Sequence, residues 1–189
     1  FIWTCKMKKN AKLLAAFVAA SIISCNALAA DGTVQFTGTI TDASCETHIG
    51  SLTGGSNETV DLGIVPVSSF SGVGSTAAQG AGSTNVKIFL TECPAGTPTQ
   101  ATLKFDGAYY NGDNSYLALD SGSTASGVAI LLSNPSGNAL KLGEPSEPFT
   151  LNVGTGSSTE LNFKAAYIQR ETTISAGTAN SSATFTINY

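Results

Sequence analysis

Histidine is almost missing from this sequence. His48 is the single one in 189 residues, beside one methionine and one tryptophan. The scarcity matters because histidine is the usual acid–base group near neutral pH and the commonest metal ligand. A Ser-His-Asp arrangement would have to use His48, three residues from Cys45. A strand residue with one face in solvent is the plainer expectation for it. No Gly-x-Ser-x-Gly elbow, phosphate-cradling loop or Cys-x-x-Cys pair occurs. The carboxylates are scattered singly, so no acid–base pair is indicated. Asp106–Tyr116, "DGAYYNGDNSY", gathers oxygen-bearing and aromatic side chains but lacks the alternating ligand spacing of a calcium loop. It is expected to be a turn with solvated polar groups. Neither an enzyme nor a cofactor or metal site is expected.

Positive charge is also scarce. From Ala30 onward the basic residues are Lys87, Lys104, Lys141, Lys164 and Arg170, five against 13 acidic ones, a balance of −8. Such a chain is repelled by nucleic acid and by anionic membrane surfaces, so neither is an expected partner. A run long enough to span a bilayer is lacking too. The apolar stretch Leu13–Ile23 has 11 residues, where a spanning helix needs about 20. It follows Lys8, Lys9 and Lys12 and precedes Ala27-Leu28-Ala29, the three-part layout of a secretory signal peptide over residues 7–29. Residues 1–6, ahead of Met7, are expected to be translated upstream sequence. Ile22-Ile23-Ser24-Cys25 resembles a lipoprotein box, a rival that the well-formed Ala-x-Ala site downstream outweighs.

Two cysteines remain after that segment, Cys45 and Cys93. An even count in an exported chain makes a disulfide the default. It would close a loop of about 50 residues, worth ~4 kcal/mol in the chain-entropy view. A two-thiol metal site, the rival, lacks further soft ligands.

No apolar run at helical three-and-four spacing occurs beyond the leading segment. Period-two alternation is plentiful instead: Thr33–Thr41, Glu58–Val67, Thr84–Cys93, Gln100–Gly107, Ser115–Ser121, Ser126–Asn134, Ala139–Gly143, Pro148–Val153, Thr159–Gln169 and Ser181–Tyr189. Pro135–Asn138, "PSGN", is a hairpin connection. Short strands threaded with Gly, Ser and Thr loops predict one all-β domain, a sandwich or barrel.

The two ends of the chain carry matching features. In the last strand Ala183, Phe185, Ile187 and Tyr189 share one face. Ahead of Cys45, Val34, Phe36, Gly38 and Ile40 share a face in a spare leading strand. Gly38 suits a place where a facing core leaves no room for a side chain. Periodicity alone leaves open whether the leading strand closes its own sheet or that of another copy.

The motifs "GTVQFTGTITDASC" (Gly32–Cys45), "VDLGIV" (Val60–Val65), "VKIFLTECP" (Val86–Pro94) and "ANSSATFTINY" (Ala179–Tyr189), with Gly177 just upstream, resemble those of the major pilins of chaperone–usher fimbriae, the type 1 class, across Ala30–Tyr189. One departure from that pattern is that the tyrosine stands last rather than next to last, with the glycine correspondingly nearer the end. The resemblance implies an incomplete immunoglobulin-like sandwich lacking its seventh strand. It implies a donor-strand extension over 30–44, with Val34, Phe36, Gly38 and Ile40 entering the next copy, and a pilin domain over 45–189. It further implies a periplasmic chaperone docked along Ser182–Tyr189, an outer-membrane usher, and export to a surface fimbria that supports adhesion. A minor or adaptor subunit near the tip would share every motif. A two-domain tip adhesin is not expected at this length. A free-standing secreted carbohydrate-binding module is the alternative from another class.

Overall fold

The fold is described from a computed structural model over residues 44–77 and 83–189. The leading residues 1–6, the signal segment 7–29 and the expected donor residues Val34, Phe36, Gly38 and Ile40 lie outside the described residues.

The long alternating runs become the strands of the core. β1 (Glu46–Ile49) starts at the disulfide-bonded Cys45 and pairs antiparallel with β2 (Ser83–Thr91), whose far end leads to Cys93. β3 (Gln100–Gly107) sends Ala101, Leu103 and Phe105 inward. β4 (Tyr109–Tyr110) and β5 (Asp113–Leu117) form a small hairpin, followed by β6 (Val128–Ser133), β7 (Phe149–Thr150), β8 (Ser158–Gln169) and β9 (Ala183–Asn188). Among the described residues there is no α-helix, only a single 3-10 turn at Val67–Ser69.

Two antiparallel sheets stack as an immunoglobulin-like sandwich, one ordered β1-β2-β8-β6-β5-β4 and the other β7-β3-β9. The centre of the larger sheet is the β2–β8 ladder, in register from Ser83↔Ala166 to Thr91↔Ser158. Its inward face carries Val86, Ile88 and Leu90 opposite Leu161, Phe163 and Ala165. The smaller sheet covers that face with Leu103 and Phe105, while Leu142 is buried at 1 % exposure from a loop between the sheets. The Cys45–Cys93 bond fastens the sheet at the β1–β2 end.

Several expectations shift in detail. Glu58–Val67 was expected to be a strand, yet among the described residues no backbone–backbone hydrogen bond involves residues 56–65. The segment runs extended, with Val60 and Leu62 half-buried. At Gly63 the chain turns to φ 72°, a conformation glycine adopts without steric cost, and Ile64 swings out to 93 % exposure. Asp106–Tyr116 was expected to be a turn. The structure makes it the β4–β5 hairpin, because Asn111 (φ 49°) and Gly112 (φ 80°) supply the two positive angles of a tight hairpin connection. Arg170 secures that hairpin by stacking 3.8 Å from the Tyr116 ring centroid, with Asp113 at 3.6 Å. The Ser115–Ser121 strand ends early, at Leu117, where the chain leaves the ladder to meet the 174–182 segment. Ala139–Gly143 keeps one bridge to the sheet, Ser133↔Ala139, and the "PSGN" connection closes through Asn134 and Asn138. His48 lies on β1, its Nδ1 2.7 Å from the Gly54 carbonyl and its Nε2 3.1 Å from the Thr91 hydroxyl.

Candidate functional site

Among the described residues β9 is laddered on one side only. Its ladder to β3 runs from Thr102↔Asn188 to Gly107↔Ala183, and in the smaller sheet β9 is the edge strand. An edge of this kind presents a row of free N–H and C=O groups. Next to it the sandwich opens into a groove of about 870 Å³.

The floor is the inner face of the larger sheet: Val86 and Ile88 of β2, Ile130 and Leu132 of β6, Ala165 and Tyr167 of β8. These residues alternate toward the core, so any space left above them is apolar. One wall is β9, through Ala183 and Phe185. The opposite wall is the unladdered stretch Thr59–Val65, with Val67 and Phe70 beyond it. Among the described residues both walls therefore offer main chain without a ladder partner, and the floor between them offers apolar side chains.

One end of the groove is closed by the 174–182 segment. It is tied down by hydroxyls and main chain rather than by apolar packing. The Thr124 and Ala125 N–H groups donate to the Thr178 carbonyl (3.0 and 2.9 Å), and Asp120 N–H donates to the Asn180 carbonyl (2.8 Å). The Tyr167 hydroxyl donates to the Ala179 carbonyl at 2.6 Å. Gly177 lies so close to Thr124 and Ala125 that a β-carbon there would overlap both.

The charged groups of the lining are Glu58, Asp61 and Asp120, with no lysine, arginine or histidine among them. Burial first, and then the negative charge of Asp61, pushes the Tyr167 phenol above its ordinary pKa. Its hydroxyl is a stable proton donor to Ala179.

The structure gathers part of the expected C-terminal face at this groove. Phe185 lines it, half-buried, with its ring 6.2 Å from that of Phe105. Ala183 lines it from an exposed position at the start of β9. Ile187 packs half-buried against the core outside the lining. Tyr189 is 41 % exposed, and its hydroxyl accepts the Cys45 N–H at 3.1 Å. Cys45 and Cys93 stand together, away from the groove lining, as a disulfide. The Thr59–Val65 wall and the 174–182 closure were not singled out as groove walls from the sequence. The first shows alternation without revealing that it has no ladder partner among the described residues. The second has no periodic signal, and its Ser, Thr and Asn content is the only hint of a hydroxyl-bonded strap.

Residues 34–189 match the family described as "Fimbrial protein". A type-1 fimbrial protein subunit of Serratia marcescens is 32% identical, over 97% of this chain and 99% of its own length. The major MR/P fimbria protein of Proteus mirabilis is 31% identical, over 97% of this chain and 99% of its own. Among solved structures, an antigen and type I fimbria protein of Burkholderia pseudomallei is 34% identical and covers 84% of this chain and 97% of its own, with a TM-score of 0.57.

Proposed function

The chain belongs to the fimbrial protein family and is a structural pilus subunit, and from that premise we propose that it polymerises head-to-tail by strand exchange as the main rod component. The carrying observation is that, among the described residues, the edge of β9 has no ladder partner beside an apolar groove whose other wall is also unladdered. A strand laid there would gain hydrogen bonds on either side and bury its apolar face on the floor, which is β-strand addition.

The occupant with matching chemistry is the leading segment of another copy. Val34, Phe36, Gly38 and Ile40 alternate with polar residues at the spacing a single groove face requires. Burying Val34, Phe36 and Ile40 would contribute on the order of 1.5–3 kcal/mol per side chain. Because donor and acceptor surfaces differ, the contact is heterologous and does not close, so repeated copies extend as a filament. The likeness to the major MR/P fimbria protein supports the rod assignment.

Before polymerisation the same edge would need cover. A periplasmic chaperone lending a strand along Ser182–Tyr189 would supply it, and the acidic rim of Glu58, Asp61 and Asp120 suits a basic partner. An outer-membrane usher would then exchange that strand for the next subunit's and export the growing fimbria to the cell surface. The experiment is to incubate the purified chain with a synthetic peptide of Asp31–Ala43. The peptide is expected to bind with one-to-one stoichiometry and to block assembly. Absence of both effects overturns the donor role.

A further inference from the structure

Tyr189 directly follows β9, and its hydroxyl accepts the Cys45 N–H across 144 positions of sequence. Cys45 is held a second time, through its disulfide to the fully buried Cys93. The two ties restrain different freedoms. The disulfide fixes where the Cys45 side chain sits. The hydrogen bond orients the planar peptide unit joining Ser44 to Cys45, since the N–H belongs to that rigid group. The direction in which the chain leaves toward its N-terminal segment is thus set by a side chain at the end of β9. Among the described residues that strand is laddered along one edge only, and Tyr189 is 41 % exposed, so the outer edge of β9 and the Tyr189 side chain are held less tightly than the central strands, although Phe185 and Ile187 pack against the core. Such elements lie at the low-stability end of a fold.

We propose that Tyr189 is a positioning residue coupling the two ends of the subunit. A strand docked beside β9 steadies Tyr189, and Tyr189 then holds the root of the N-terminal segment in one direction. The inference rests on the strand-exchange reading. It adds that filling a subunit's own groove orders the take-off of the strand it offers to its neighbour. Such linkage is reciprocal, so holding the root also tightens the grip on the docked strand.

The test is amide hydrogen exchange on the full chain, with and without the Asp31–Ala43 peptide, in the native sequence and in Tyr189→Phe, which keeps the ring and removes the hydroxyl. In the native chain, peptide binding is expected to slow exchange at the Cys45 amide about fivefold, the effect of one neutral hydrogen bond. In Tyr189→Phe the β9 amides should gain the same protection while Cys45 gains none. Equal slowing at Cys45 in both chains overturns the coupling. So does an unchanged Cys45 in the native chain while β9 is protected, a comparison that decides the matter even if the variant fails to fold. A peptide that leaves β9 unprotected overturns the strand-exchange reading itself, and the coupling with it.

Discussion

Phe105 meets Phe163 edge-on, the ring centroids 5.2 Å apart and the planes at 89°, so one aromatic pair bridges the two sheets. This T-shaped arrangement sets the positive edge of one ring against the negative face of the other. Phe105 also lines the groove and flanks Phe185. The sheet-to-sheet contact and the groove lining therefore share the Phe105 ring.

Replacing Phe105 with alanine is expected to cost about 3–5 kcal/mol of stability, the range for a buried aromatic truncation. Phe185→Ala should cost less, because its side chain is half-buried at the rim. Urea midpoints of the two variants give the order directly, and a larger loss at Phe185 would contradict it.

Gly177 should not tolerate a side chain. A β-carbon there would fall on the Thr124 hydroxyl and the Ala125 backbone, and backbone yields little. Gly177→Ala is expected to lose about 1–3 kcal/mol through overpacking. It should also release protection of the Thr124 and Ala125 amides that bond the Thr178 carbonyl. Unchanged exchange at those amides would show that the closure survives.

Like charges meet when the donor segment approaches the groove. The lining contributes Glu58, Asp61 and Asp120, and the segment Asp31–Ala43 contributes Asp31 and Asp42 with no basic residue. Added salt screens such repulsion over a distance of about 10 Å at 0.1 M. The association rate of the Asp31–Ala43 peptide should therefore rise with ionic strength. Asp61→Asn should raise it at low salt and flatten the dependence. A rate that falls with salt would mean that attraction dominates.

Glu160 gives a pH-dependent contribution on the outer face of the larger sheet. The Lys87 ammonium, 2.7 Å away, donates a hydrogen bond to the carboxylate and lowers its pKa. A carboxyl lowered in the folded state stabilises fully above its ordinary unfolded value, and that stabilisation is lost as pH falls through the lowered folded value. The stability difference between the native chain and Glu160→Gln should be present at neutral pH and vanish in strong acid. A difference constant across that range would remove the ion pair as its cause.

The ladders at the centre of the fold were legible because side-chain alternation and pairing coincide there. Gln100–Gly107 was read with the bounds that β3 has, and Thr84–Cys93 and Thr159–Gln169 largely overlap β2 and β8. Where pairing and alternation part, the reading shifts. β1, "ETHI", is too polar to announce itself, and the edge of β2 recruits it. Thr59–Val65 alternates like a strand but has no ladder neighbour among the described residues. The hairpin at Asn111-Gly112 was hidden because positive backbone angles, rather than apolar spacing, create it. For the groove, the sequence displayed the apolar face of β9 but could not reveal which residues stand across from it.

The bend at Gly63 has a geometrical outcome for whatever lies along that wall. A strand slid by two residues beside an unbroken neighbour finds the same pattern of bumps and hollows again. Here the inward side chains Val60, Leu62 and Val65 are spaced first by two positions and then by three, with Ile64 thrown outward between them. A displaced guest meets a different surface at every shift, so the wall carries its own origin, like the zero mark on a ruler.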